Sequence, residues 1–180
     1  MKLNLGCGKD FREGWVNVDI KDADINADIR SLPFKNDSAS HIMLIHVLEH
    51  FSFIDEEKVW KEVYRVLRPT GLITVEIPDL YWICQQLVEA QDTWKTFYKI
   101  TNDPSDPNYG FGSGPGIDVV HGQLMTYIFG SQTTPYHFHT NGYTRGKIVG
   151  IAKLLNLEVL TLSSNYNKGS KNIFTQLRKK

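Results

Sequence analysis

Apolar residues recur along the chain in short runs separated by helical or polar segments. Strand-like runs fall at 3–5, 15–19, a short one near 24–29, "HIMLI" at 41–45, "LITVEI" at 72–77, "LEVLTL" at 157–162 and "NIFTQL" at 172–177. "HIMLI" shows no polar alternation after His41, as suits a strand covered on both faces of a parallel sheet. "DEEKVWKEVYRVL" carries Val59, Trp60, Val63, Val66 and Leu67 at helical spacing. Asp55, Glu56 and Glu57 occupy its first turn, where negative charge suits the helix dipole, and Pro69 with Gly71 is expected to stop it. A second helix is predicted from Asp79, using Leu80, Ile83, Cys84 and Leu87, and a third from near Thr144, using Ile148, Ile151, Ala152 and Leu155. Strands alternating with helices predict a single α/β domain over 1–180 with a mainly parallel sheet.

The pattern departs from a full doubly wound fold in two places. Residues 9–15 are too few for a complete helical crossover, which takes about 10–12 residues or more. No long helix fits after Asp19 either, so the first crossovers are trimmed. Residues 101–143 are rich in Gly, Pro and aromatics, and a loop of that length inside a domain is usually a functional lid. Its aromatic content argues against disorder.

The first strand ends on Leu5-Gly6-Cys7-Gly8 and the second on Asp19. Strand, glycine turn, strand, acid is the order of a nucleotide-binding crossover. A dinucleotide fingerprint would place a third glycine where Phe11 stands, and its acid about 20 residues on, well beyond Asp19. "GCGKDFREG" also lacks the Gly-Lys-Ser/Thr of a P-loop. A ligand without phosphates fits better. S-adenosylmethionine offers an amino-acid end for bare glycines and two ribose hydroxyls for a carboxylate.

These motifs resemble those of the class I S-adenosylmethionine-dependent methyltransferases, close to the type 11 group. "LNLGCG" looks like the first motif and "VNVDI" like the second, with Asp19 at the ribose position and Ile20 where the adenine packs. "ADIRSLPFKNDSASHIMLIHVLEHF" looks like the third and fourth. There the resemblance puts Asp28 and Ile29 at the adenine edge and His46 beside the methionine moiety. "EVYRVLRPTGLITVEIPD" matches the following helix and fifth strand, with Thr70 in place of the first glycine of Pro-Gly-Gly. The resemblance implies a Rossmann-like seven-strand sheet of order 3-2-1-4-5-7-6 with the last strand antiparallel. It also implies a cofactor site of Leu5, Gly6, Cys7, Gly8, Asp19, Ile20, Asp28, Ile29 and His46.

Charge and cysteine content narrow the partners. Lys plus Arg equals Asp plus Glu at 20 each, so no overall field attracts nucleic acid or an anionic membrane. The closing "LRKK" reads as a solvated end. No apolar run approaches the length of a membrane span. Only a lysine follows Met1 before the first strand, so no signal peptide is expected. With two cysteines, Cys7 and Cys84, the cytoplasm is the expected compartment.

Methyl transfer to an oxygen or nitrogen of a small polar metabolite or sugar is the expected activity. His46, His50, His121, His139 and Asp79 are the candidate proton acceptors. His137 and His139 alternate in "YHFH" and would share a strand face, and with His121 they would offer three imidazoles to a metal. They read better as polar lid residues, so no metal is expected. The rival reading is a non-catalytic S-adenosylmethionine-binding protein, a pseudoenzyme or partner subunit. An oxidoreductase is weaker, because Phe11 and the acid spacing count against it. Residues 101–143 are expected to close the site, with a homodimer interface as the other use for them.

Overall fold

A computed structural model of the chain describes residues 1–90, 126–167 and 170–180. Its strands are β1 (Lys2–Leu5), β2 (Val16–Asp19), β3 (Ile25–Asn26), β4 (Ala39–Ile45), β5 (Leu67–Pro78), β6 (Leu157–Asn167) and β7 (Ser170–Lys179). They form one seven-stranded sheet in the order β3-β2-β1-β4-β5-β7-β6. β1 to β5 pair in parallel, while β7 runs antiparallel to both β5 and β6. Among the described residues the helices include α1 (Glu56–Val66), α2 (Leu80–Ala90) and α3 (Arg145–Leu154), and 126–129 are also helical. Order and direction agree with the sequence reading.

The core grows from the predicted periodicities. Ile42 and Leu44 are fully buried in β4 with Met43 nearly so, which places cover on both faces of that strand. Val59, Trp60, Val63 and Val66 are the buried stripe of α1 and join β1, β4 and β5 in one cluster. Thr144 caps α3, its side chain accepting from the Lys147 amide at 3.2 Å. Lys147 Nζ then reaches Glu56 at 2.8 Å and ties α3 to the start of α1. In α2, Ile83 is buried but Cys84 faces outward, against expectation.

The trimmed crossovers are held by polar residues in place of a helix. Leu3, Leu5 and Val18 point into the core, so by strand alternation Asn4 and Asn17 point to the other face. Both asparagines are buried. Asn4 Nδ2 donates to Asn17 Oδ1 at 3.0 Å and to the Asp10 carbonyl at 2.7 Å. Asn17 Oδ1 also accepts the Arg12 amide, and Asn17 Nδ2 donates to Asp24 at 2.8 Å. The side-chain amides thus satisfy loop backbone that has no ladder to join.

Two sequence expectations are corrected by the structure. α1 ends before Pro69: Leu67 is already extended, its amide bonds to the Val63 carbonyl, and its side chain is buried. The stop comes from pairing, because Leu67 stands opposite Ala39 and the ladder resumes at His41 opposite Leu72. Arg68 to Gly71 fall within the register shift, and Thr70 there adopts φ 61°, the left-handed region that favours glycine.

The second correction concerns the basic end. Lys179 is only 8% exposed. Its ammonium donates to the carbonyls of Tyr64 and Leu67 at 2.9 and 2.7 Å and to Asp37 at 2.8 Å, closing the end of α1. A Lys179→Met variant keeps the apolar stem and strands those carbonyls, so it is expected to lose about 2–3 kcal/mol. A lower urea midpoint at unchanged slope is the readout. A loss under about 0.5 kcal/mol would show that water replaces the ammonium freely.

Candidate functional site

The carboxyl ends of β1, β2, β4 and β5 converge where strand order reverses between β1 and β4, the usual ligand crevice of an open α/β sheet. Gly6 and Gly8 both lie in the left-handed region, at φ 66° and 51°. Their surroundings differ. A Cβ on Gly6 would stand 2.6 and 2.9 Å from the Val47 methyls, so Gly6 is bare because the chain after β4 packs against it. A Cβ on Gly8 would meet nothing within 4 Å, so that part of the loop borders open space.

Asp19 is oriented by this loop. Its Oδ2 accepts the Gly8 amide at 2.7 Å and its Oδ1 the Ile20 amide at 2.6 Å. Each oxygen keeps a further lone pair for a hydroxyl donor. Ile20, next in sequence, is 44% exposed and offers an apolar surface beside the carboxylate. Cys7 is buried, and burial together with the Asp19 charge pushes its thiol pKa up, so it fills space as an inert thiol.

Asp28 and Ile29 follow β3. The Asp28 carboxylate is taken by Arg30, whose guanidinium lies at 2.6 Å and whose amide donates at 2.8 Å. These bonds hold the carboxylate below its ordinary range despite partial burial. Ile29 is buried in the core. Arg30 also bridges to Asp55, so the turn after β3 is tied to the start of α1.

After β4 the chain turns sharply. His46 has φ 53°, rare for a non-glycine residue, with its amide bonded to the Glu76 carbonyl at 2.8 Å. A short 3₁₀ turn at Leu48–His50 follows. His46 Nδ1 lies 3.2 Å from Glu49 Oε1, and His46 Nε2 lies 3.6 Å from Glu76 Oε1. Asn172 on β7 donates to Glu76 at 3.0 Å. Glu76 and Asn172 were not among the sequence candidates. The acid within the otherwise apolar run "LITVEI" was the available signal for Glu76.

Residues 138–141 cross this turn. The amides of Thr140 and Asn141 donate to the Glu49 carbonyl at 2.8 and 3.2 Å, and Thr140 Oγ1 donates to the His50 carbonyl at 3.2 Å. His50 Nδ1 donates to the Phe138 carbonyl at 3.0 Å, and His139 Nδ1 to that of Tyr127 at 2.8 Å. The His50 and His139 rings meet edge to face at 4.9 Å. Burial lowers the His139 pKa, with the Glu49 charge opposing, so the ring is neutral at pH 7.

"YHFH" is not a strand. Residues 135–137 form a 3₁₀ turn, and His137 bonds Thr133 at 2.7 Å, so His137 and His139 share no face. Asp79 is buried, and its Oδ1 accepts the Tyr81 and Trp82 amides at 3.1 and 3.4 Å and caps α2. His121 and residues 101–125 of the expected lid lie outside the described residues. A cavity of about 500 Å³ is lined by Asp79, Tyr81, Trp82, Arg145 and Lys171 among others, and by no residue of the glycine loop.

The family described as "Methyltransferase domain" matches over residues 8–75. Solved structures match along nearly the whole chain. The PH0226 protein from Pyrococcus horikoshii OT3 is 19% identical with TM-score 0.56, covering 99% of this chain and 81% of that one. A methyltransferase described as SAM-dependent, from Methanosarcina mazei, is 13% identical with TM-score 0.62, covering 98% and 91%. The Burkholderia thailandensis 1,6-didemethyltoxoflavin-N1-methyltransferase, with bound 1,6-didemethyltoxoflavin and S-adenosylhomocysteine, is 10% identical with TM-score 0.60, covering 98% and 69%. At these identities the likeness establishes the fold. No curated protein matches the sequence.

Proposed function

We propose that this chain is an S-adenosylmethionine-dependent methyltransferase acting on an oxygen or nitrogen of a small polar metabolite or sugar. The observation that carries the reading is the polar group of His46, Glu49, His50 and His139 gathered past β4, at the crevice that the glycine loop also borders. An acceptor bearing hydroxyl or amino groups finds hydrogen-bonding partners there, while a purely apolar one would strand them. The formal charge of zero gives no field for a long nucleic acid.

The residues present fit the cofactor. The open space at Gly8 admits a close backbone approach, Asp19 keeps acceptor capacity for two ribose hydroxyls, and exposed Ile20 offers a surface for adenine. When bound, S-adenosylmethionine supplies a methyl carbon on a cationic sulfur, from which the acceptor's lone pair displaces S-adenosylhomocysteine. The chain's part is to hold the acceptor in line, exclude water and receive the acceptor's proton. Neutral His139, together with His46 and His50, lies in the polar group for that proton.

Incubating the protein with methyl-labelled S-adenosylmethionine and a panel of polar metabolites and sugars tests the reading. Label on a small acceptor with matching S-adenosylhomocysteine is expected. Tight cofactor binding with no labelled acceptor across the panel would instead favour a non-catalytic binding protein.

A further inference from the structure

We propose that Glu49, His50 and His139 form a binding site for a divalent first-row transition-metal ion. One donor atom from each lies within 4.8 Å of the donors of the other two. Ligand bonds of about 2.1 Å place donors about 3–4 Å apart, so side-chain rotations on the order of 1 Å close the set.

The carboxylate gives the first independent sign. Glu49 is 2% exposed, and its Oε2 is shut off from water with no hydrogen-bond partner. A buried carboxylate oxygen left in that state is costly, and a cation is the group that satisfies it. Its Oε1 is already engaged by His46, which fixes the carboxylate's orientation.

The imidazoles give the second. A backbone carbonyl only accepts, so the bonds from His50 Nδ1 to Phe138 and from His139 Nδ1 to Tyr127 place the proton on Nδ1 in both rings. Each ring is then the tautomer whose Nε2 lone pair is available. A ring N–H held by a backbone carbonyl is the outer-shell pattern of metal-ligating histidines.

The amides of Thr140 and Asn141 clamp the strap carrying His139 onto the Glu49 carbonyl, so the three residues stand together before any ion arrives. Two imidazoles and one carboxylate suit zinc, cobalt, iron(II) or manganese better than calcium or magnesium, which favour all-oxygen sets. Three protein ligands leave positions open for water or for oxygens of an acceptor. With the ion in place His50 and His139 are ligands, and proton removal falls to His46. This reverses the metal-free expectation from sequence.

The test uses the full chain, stripped with chelator and titrated with Co²⁺ and then Zn²⁺. One Co²⁺ per chain with visible d–d absorption, displaced by one Zn²⁺, is expected. Glu49→Gln, His50→Ala and His139→Ala should each weaken Zn²⁺ binding at least a hundredfold, while His137→Ala should not change it. S-adenosylhomocysteine binding by the same variants reports whether each still folds and keeps the cofactor site separate from this question. Absence of stoichiometric binding in stripped, cofactor-binding protein would overturn the proposal. So would binding that survives all three substitutions.

Discussion

Replacing Asp19 by alanine is expected to weaken binding of both S-adenosylmethionine and S-adenosylhomocysteine by about ten- to a hundredfold. The carboxylate is held by the Gly8 and Ile20 amides with acceptor capacity to spare. Loss of hydrogen bonds to a charged acceptor is worth about 1.5–3 kcal/mol, which is the stated range in dissociation constant. The same bonds orient the loop, so the variant is also expected to unfold slightly earlier. Calorimetric titration of folded protein is the measurement, with Asp19→Asn as a companion that keeps one acceptor oxygen. An unchanged dissociation constant would remove Asp19 from the ribose site.

The two glycines of the first turn should fail in different ways. Gly6→Ala drives a Cβ into the Val47 methyls at a residue already in the left-handed region. Backbone strain of about 1–2 kcal/mol and overpacking of about 1–3 kcal/mol together predict a fall in melting temperature of roughly 5–15 °C for a chain of this length. Val47→Ala in the same chain should recover part of that loss, because it removes the atoms being struck. Gly8→Ala meets no protein atom and should lose only the backbone share of stability, yet cofactor affinity should fall at least tenfold because its Cβ enters the open space. Normal affinity in Gly8→Ala would show that the loop does not face the ligand.

These contrasts mark where sequence stopped being informative. Sheet order and the placement of Gly6, Gly8, Asp19 and His46 were legible because alternation and motif order are local properties of the chain. The distinction between Gly6 and Gly8 was not, since it depends on Val47, which only the fold brings near. Asn4 and Asn17 looked like the polar half of an alternating strand, and their role emerged only once Asp24 and the loop carbonyls lay within reach. Lys179 read as a solvated charge because nothing nearby in sequence announces the carbonyls of Tyr64 and Leu67. The pairing of Glu49 and His50 with His139 spans about half the chain, so no spacing rule relates them.

The position of β7 bears on how the protein is made. It is the last strand in sequence, yet it lies between β5 and β6, inside the sheet rather than at its rim. Every motif of the glycine loop and of the turn after β4 is already synthesised when Pro78 emerges, but the backbone edge of β5 then has no neighbour. At about 5–20 residues per second, the ribosome needs on the order of 5–20 s more to reach Ser170. During that interval the nascent chain carries an open edge flanked by Ile73, Val75 and Ile77, the kind of template that recruits strands from other molecules. A chain cut before Ser170 would keep that edge permanently. Such a fragment is expected to accumulate in the insoluble fraction even though it contains the glycine loop and the turn after β4.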